Sequence, residues 1–156
     1  MGRRTSRRAP RTRATLRPGD AVFGEEDGGA AAVPGGVRWI VDPIDGTVNF
    51  LYNIPAYSVS IAAAMNGKVV AGAVANIVGN EIFSAHRGGG ASAISVEDAL
   101  ADPQNARTAP RLSCNEPANL GVTLLGTGFS YTASKRALQG ALFSKVISHV
   151  RDIRRL

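Results

Sequence analysis

Two aspartates stand close together in the run Trp39-Ile-Val-Asp-Pro-Ile-Asp-Gly-Thr-Val-Asn-Phe50. Proline fixes its own φ at about −65° and pushes the preceding residue into an extended conformation. We therefore predict that a strand over 37–41 ends at Asp42 and that a β-turn joins Asp42 to Asp45. Carboxylates held together repel each other unless a cation lies between them, and Mg²⁺ prefers carboxylate oxygens with water and phosphate. The segment thus predicts a site for a hard divalent cation.

Groups that bind an anion follow these aspartates directly. Gly46 can adopt any φ that the turn requires, and Thr47 can begin a short helix whose first N–H groups face the same place. Glu25 and Glu26, at the end of a predicted strand over 21–24, offer a third carboxylate. Carboxylates at two strand ends beside free N–H groups indicate metal-assisted phosphoester hydrolysis. Taken singly, each motif is also typical of a solvated surface turn.

Four segments taken together carry a more specific pattern: Gly24-Glu25-Glu26, the run over 39–50, Ile54-Pro55 and Ser58-Val-Ser-Ile61. In this combination the sequence resembles the inositol monophosphatase family of Mg²⁺-dependent, lithium-sensitive phosphatases. The resemblance implies an α+β fold, a layered α/β sandwich represented here in part by an antiparallel meander and one strand-helix unit. It also implies an enzyme that hydrolyses inositol phosphate or a related sugar phosphate with a water activated by metal.

The resemblance further implies a role for individual residues of the motifs. It assigns metal ligation to Glu25, Asp42, Asp45 and the backbone carbonyl of Ile44, with Mg²⁺ as the cofactor. It assigns catalysis to Glu25 and Thr47, which orient the attacking water. It assigns binding of the substrate phosphate to Asp45 and to the amides of Gly46 and Thr47.

Parts of the family pattern find no match in this sequence. These are the two N-terminal helices and a later Trp-Asp motif, whose aspartate completes the metal site. We therefore expect turnover near background from the 156-residue chain. We also expect exposed sheet edges and an apolar face, which favour a homo-oligomer. The alternative function is a non-catalytic fragment that associates with a partner chain.

Hydrophobic patterning predicts the elements that must position these residues. Residues 57–66 and 69–78 read as two strands joined by Asn66-Gly67, a strong hairpin signal, and a third strand follows over 81–85. Residues 91–119 show weak periodicity and are expected to be irregular, with a short helical turn at 96–100. A strand is expected within 120–129. Thr132 then caps a helix with a predicted apolar face at Ala137, Leu138, Ala141, Leu142, Ile147 and Val150, broadened by Phe143 and Val146.

The formal charge of +6 is concentrated at the N-terminus. Residues 1–19 carry seven arginines and no acid, and we expect them to form a disordered tail, followed by a metal-binding part over 20–119 and a second α/β part over 120–156. Nucleic-acid binding through the tail is a second alternative, although the rest of the chain is nearly neutral. One cysteine and the absence of an apolar run of membrane-spanning length favour a soluble, cytoplasmic protein without membrane contact.

Overall fold

A computed structural model of the chain describes residues 20–24, 35–116 and 119–155 and contains two compact units, divided after Ser113. The predicted disordered tail over 1–19 and the acidic pair Glu25-Glu26 lie outside the described residues. No helix within the described ranges is long and apolar enough to cross a membrane.

The first unit is built on a seven-stranded sheet whose strands lie side by side in chain order. The strands are β1 (Ala21–Gly24), β2 (Val37–Asp45), β3 (Ser58–Met65), β4 (Lys68–Asn76), β5 (Glu81–His86), β6 (Gly90–Ser95) and β7 (Arg111–Leu112). Three short helices belong to this unit: α1 (Thr47–Leu51), α2 (Val96–Ala101) and α3 (Asn105–Thr108). The predicted antiparallel meander is confirmed, since every neighbouring pair from β2 to β7 is antiparallel.

The second unit contains a parallel pair of strands, β8 (Leu124–Thr127) and β9 (Asp152–Arg155), and the helix α4 (Ala133–Val146). One turn of 3-10 helix precedes β8 at Leu120–Val122, and another follows α4 at Ile147–His149. The predicted strand within 120–129 is therefore shorter than expected. A 3-10 turn occupies the first part of this range, and the side chain of Asn119 caps it by accepting a hydrogen bond from the Gly121 amide at 2.7 Å.

The predicted hairpin at Asn66-Gly67 is confirmed. Both residues have positive φ, 49° and 75°, as a type I′ turn requires. This turn sets the register of β3 on β4, because Met65 pairs with Lys68 directly beside it. The helix predicted to begin at Thr47 and the helical turn predicted at 96–100 are also confirmed, as α1 and α2.

The predicted β-turn from Asp42 to Asp45 is wrong. Strand β2 continues through these residues to Asp45 and contains a β-bulge instead. Asp42 pairs with Ser60 and Asp45 with Ser58, so three steps along β2 are matched by two along β3. Proline has no N–H to give to a sheet ladder and is tolerated at bulges, which explains why Pro43 distorts the strand without ending it.

The prediction that 91–119 is irregular is wrong at its start. Gly-Ala-Ser-Ala-Ile-Ser over Gly90–Ser95 forms β6, which pairs along its whole length with β5. Gly, Ala and Ser have low strand propensity, but pairing with a neighbouring strand outweighs a local preference of this kind. The hydroxyls of Ser84 and Ser92, 3.3 Å apart, add one cross-strand hydrogen bond.

Helix α4 is confirmed, and its predicted apolar face is confirmed only in part. Leu138 and Leu142 are 74% and 64% exposed. The half-buried positions within the helix are Gln139, which was not predicted, and Phe143 and Val146, which were predicted to broaden the face. Phe143 makes an edge contact with Phe129 at 6.0 Å between ring centres. Thr132 occupies the N-cap position as predicted, yet its side chain makes no capping hydrogen bond.

Gly46 joins β2 to α1 in a left-handed conformation with φ of 84°. A Cβ atom at this position would lie 2.9 Å from the carbonyl oxygen of Ala56 and 3.3 Å from the Cα of Tyr57. The glycine therefore serves two purposes, since it supplies the positive φ and allows the backbone of a second segment to approach.

We predict that Gly46→Ala destabilises the chain more than Gly67→Ala does. Both substitutions place a Cβ on a left-handed residue, at a cost of about 1–2 kcal/mol. Gly67 has nothing within 4 Å of that Cβ, whereas at Gly46 the clash adds roughly 1–3 kcal/mol. Urea midpoints of the two variants test this difference, and equal midpoints would contradict the close approach of Ala56.

Candidate metal centre

The bulge in β2 brings Asp42 and Asp45 onto one face of the sheet. In a regular strand, residues three positions apart point to opposite faces, because side chains alternate. Here the partners of the two aspartates, Ser60 and Ser58, are two positions apart on β3 and share a face. Directly paired residues lie on the same face, so Asp42 and Asp45 share it too. The extra residue in β2 thus places both aspartates on one face, an arrangement that the sequence had predicted from a β-turn.

Two short hydrogen bonds organise the backbone between and after the aspartates. The amide of Ile44 donates to Oδ1 of Asp42 at 3.1 Å, and the hydroxyl of Thr47 donates to the carbonyl oxygen of Ile44 at 2.8 Å. Asp42 is half-buried, whereas Asp45 and Thr47 are exposed. The predicted site residues from Asp42 to Thr47 therefore form one connected, solvent-accessible group.

The oxygen atoms of this group suit a magnesium ion. Oδ2 of Asp42 and both carboxylate oxygens of Asp45 accept no hydrogen bond from the described residues, and neither side chain forms an ion pair with them. The carbonyl oxygen of Ile44 accepts one bond from Thr47 and keeps a second lone pair. Carboxylate and carbonyl oxygens are the ligands of a hard divalent cation, so the residues present fit the predicted cofactor.

A complete ligand set is not found within 20–24, 35–116 and 119–155. In these ranges no group of three or more Asp, Glu, His or Cys side chains could hold a metal ion. The predicted third carboxylate, Glu25, lies outside them. Its chain neighbour Gly24 is described, and it pairs in parallel with Val41, the residue before Asp42. Strand β1 therefore ends beside Val41, and the two strands run in the same direction.

Asp152, in the second unit, is committed to a different interaction. Its carboxylate accepts a hydrogen bond from the Ile153 amide at 2.7 Å and forms an ion pair with Arg154 at 2.6 Å. The amide hydrogen bond first, and the arginine second, hold the pKa of Asp152 below its usual value. Both side chains are about half exposed, so this pair adds little to stability.

A cavity of about 650 Å³ lies elsewhere in the first unit, over the sheet face that carries Trp39, Ile61 and Ala73. Residues of α3 and the following segment, including Arg107 and Arg111, line its other side. None of the residues from 42 to 47 lines it, so this cavity is separate from the candidate metal centre.

One residue of the site region was missed by the sequence analysis. The side chain of Asn49, in the middle of α1, donates to the carbonyl oxygen of Ala56 at 2.8 Å. Asparagine is a poor residue inside a helix because its side chain competes for backbone groups. Its presence at the centre of a five-residue helix was a usable signal of a side chain bonded to another segment.

Comparison with known proteins places this geometry in a family. The sequence profile of the inositol monophosphatase family matches residues 3–156. An inositol-1-monophosphatase of Mycobacterium leprae is 46% identical over 147 residues, which are 92% of this chain and 47% of the relative. A protein named Nus factor SuhB from Pasteurella multocida is 31% identical over 140 residues, 89% of this chain and 47% of the relative. The chain spans about half the length of these relatives.

Solved structures agree with the sequence match. SuhB of Mycobacterium tuberculosis superposes with a TM-score of 0.78 at 42% identity, covering 98% of this chain and 55% of that one. The extragenic suppressor protein SuhB of Bartonella henselae gives a TM-score of 0.80 at 30% identity, covering 99% and 54%. These superpositions confirm the predicted fold class, a partly represented α/β sandwich with a mixed sheet. The chain belongs to the inositol monophosphatase family.

Proposed function

We propose that this chain provides the metal- and phosphate-binding part of a Mg²⁺-dependent phosphomonoesterase that acts on inositol phosphate or a related sugar phosphate. The observation that carries the proposal is the bulge in β2, which places Asp42 and Asp45 on one face beside the Ile44 carbonyl and the Thr47 hydroxyl. Membership of the family supports the phosphatase chemistry. The fit of the oxygen ligands supports the choice of Mg²⁺.

The proposed ligands are Asp42, Asp45, the carbonyl oxygen of Ile44 and the carboxylate of Glu25. The parallel pairing of Gly24 with Val41 supports the inclusion of Glu25. Glu25 follows Gly24 in the chain and Asp42 follows Val41, so the two acidic residues come directly after a pair of neighbouring residues. When bound, Mg²⁺ supplies Lewis-acid stabilisation of charge on phosphate oxygens and lowers the pKa of a coordinated water.

Thr47 and Glu25 are the proposed catalytic residues. The Thr47 hydroxyl donates its only proton to Ile44, so its lone pairs remain free to accept a hydrogen bond from water. A water that donated hydrogen bonds to Thr47 and to the carboxylate of Glu25 would keep its lone pairs free for the cation and for attack on the phosphorus. This arrangement holds the nucleophile in one orientation, which is a large part of the catalysis of phosphoryl transfer.

The proposed phosphate contacts are Asp45 and the amides of Gly46 and Thr47. Thr47 is the first residue of α1, and the first N–H groups of a helix have no partner within it.

The cytoplasmic location, the homo-oligomer and the three-part division of the chain, all predicted from the sequence, also remain predictions. Association through exposed apolar side chains is supported by Leu51 and Tyr52, which are 71% and 75% exposed.

We predict that Asp42→Asn abolishes binding of Mn²⁺, used as a probe for Mg²⁺, while Asp102→Asn leaves it unchanged. The control is closely matched, because the Asp102 carboxylate also accepts the amide hydrogen bond of the residue two positions on, Gln104, at 2.8 Å. Each substitution removes one charge and keeps an oxygen for the local turn. Isothermal titration calorimetry measures the two affinities, and equal affinities for wild type and Asp42→Asn would refute the site.

The activity is tested by phosphate release from inositol 1-phosphate and other sugar phosphates in millimolar Mg²⁺. We expect hydrolysis near background, and any turnover above background to require the metal, to disappear in Asp42→Asn and to persist in Asp102→Asn. Metal binding without any hydrolysis would instead favour the alternative, a non-catalytic chain that associates with a partner.

Nucleic-acid binding is the second candidate function, favoured by the seven arginines of residues 1–19. If all seven arginines contact phosphates of duplex DNA, the slope of log affinity against log salt is about −6. We predict that replacing the seven by glutamine in the full chain removes this binding, whereas replacing them by lysine retains it. A gel shift at several salt concentrations measures the slope. Binding that survives the glutamine variant would exclude this role for the tail.

A further inference from the structure

The segment that follows α1 returns to the candidate metal centre before it enters β3. We define it as the return segment, residues 52–57. It contains a tight turn in which the amide of Ala56 donates to the carbonyl oxygen of Ile54 at 2.8 Å. The next residue, Ser58, is the pairing partner of Asp45. The return segment therefore ends beside one of the two aspartates of the site.

Asn49 attaches α1 to this segment through two hydrogen bonds. Its carbonyl oxygen accepts from the Ile54 amide at 2.8 Å, and its side-chain Nδ2 donates to the Ala56 carbonyl oxygen at 2.8 Å. A ring contact between Phe50 and Tyr57, with centres 5.1 Å apart and planes at 84°, lies next to these bonds. The attachment is thus made by neighbouring residues of α1 and is not spread over the unit.

The Ala56 carbonyl that Asn49 holds is the same group that packs against Gly46. A Cβ on Gly46 would lie only 2.9 Å from its oxygen. Gly46 lies between Asp45 and Thr47, and its own carbonyl oxygen accepts from the Phe50 amide at 3.0 Å. Asn49 therefore fixes the segment against which the Asp45-to-Thr47 backbone is packed.

From these contacts we infer that Asn49 is a positioning residue for the metal centre, acting through the Ala56 carbonyl to hold Asp45 and Thr47 in their ligating and water-orienting positions. The inference rests on the proposed function and deepens it. Asn49 itself is not assigned to the metal, the water or the phosphate. Its side-chain amide donates a hydrogen bond to the Ala56 carbonyl oxygen in the return segment.

The chemistry of the side chain makes the inference specific. The bond to the Ala56 carbonyl needs a donor, which the side-chain amide N–H of Asn49 supplies. An aspartate has nearly the same shape but offers only acceptor oxygens to a carbonyl, so it breaks the bond and repels the partner. Supporting groups around a metal site typically affect metal affinity or activity by about 10- to 100-fold.

The test compares Asn49→Asp with Asn53→Asp in the full chain. Asn53 lies in the return segment with φ of 55°, a left-handed value that Asp also tolerates, and its side chain makes no hydrogen bond to the described residues. Both variants add one negative charge near the site, so a difference between them reports the lost hydrogen bond. Asn49→Ala, which removes the donor without adding charge, is the second variant.

The first readout is the affinity for Mn²⁺, measured by electron paramagnetic resonance under conditions in which circular dichroism shows the fold intact. We expect Asn49→Asp and Asn49→Ala to weaken binding by about 10-fold or more, and Asn53→Asp to leave it near the wild-type value. A merely structural role would lower the urea midpoint of the Asn49 variants and leave the affinity of the folded protein unchanged, and this result would overturn the inference.

The second readout needs no metal. Hydrogen exchange of the Phe50 amide, which is bonded to the Gly46 carbonyl, reports whether the backbone at Gly46 is held. We expect faster exchange in the Asn49 variants than in Asn53→Asp. Wild-type chain that binds no Mn²⁺ would refute the proposed function and the positioning role together. Metal binding by wild type with unchanged affinity and exchange in the Asn49 variants would refute the positioning role alone.

Discussion

A single extra residue in β2 determines the geometry on which the candidate metal centre depends. Asp42 and Asp45 are three positions apart, and a regular strand would direct them to opposite faces of the sheet. Because β3 spans the same distance with two steps, from Ser60 to Ser58, the carboxylates share a face. The proline between them explains why the irregularity occurs here, since Pro43 cannot contribute an N–H to the ladder. In the proposed function, a hard cation bound here would relieve the repulsion between the two carboxylates.

The connection from β2 to β3 must satisfy two demands at once. It has to leave the sheet after Asp45 and come back so that Ser58 pairs with that same residue. The left-handed Gly46 turns the chain into α1, and the return segment brings it back against the glycine. The backbone at Ala56 can approach Gly46 this closely only because Gly46 has no side chain. The position of the Thr47 hydroxyl is therefore coupled to the packing of Ala56 and Tyr57 against Gly46.

Local sequence signals predicted the elements that depend on local conformation. Asn66-Gly67 predicted a type I′ hairpin, because both residues accept positive φ, and Thr47 predicted the start of α1. Features that depend on a partner strand were not predictable in this way. The proline rule located the irregularity at Asp42 but predicted a turn, since nothing in the run itself shows that β3 continues to pair with Asp45.

The same distinction explains the other differences. Strand β6 is paired along its whole length with β5, although Ile94 is the only one of its six residues with a high strand propensity. The side of α4 that packs within its unit is set by the position of Phe129, which the helical period of α4 does not encode. For the site, the motif predicted Asp42, Asp45 and Thr47, whereas the partner of Asn49, the Ala56 carbonyl seven residues on, depends on the path of the chain after α1.

The Ile44 carbonyl links the proposed cation site to the proposed catalytic hydroxyl. One of its lone pairs accepts a hydrogen bond from the Thr47 hydroxyl, and the other is available to a cation. Because the hydroxyl proton is directed at Ile44, Thr47 can only accept a hydrogen bond from a water, and that water must turn its own lone pair elsewhere. In the proposed function, the direction of these bonds decides which atom of the water faces the phosphorus. A threonine that lost its acceptor at Ile44 could instead donate to the water and occupy the lone pair that hydrolysis requires. The orientation of one backbone carbonyl, held between the bulge in β2 and the start of α1, therefore connects the fold of the sheet to the chemistry proposed for the site.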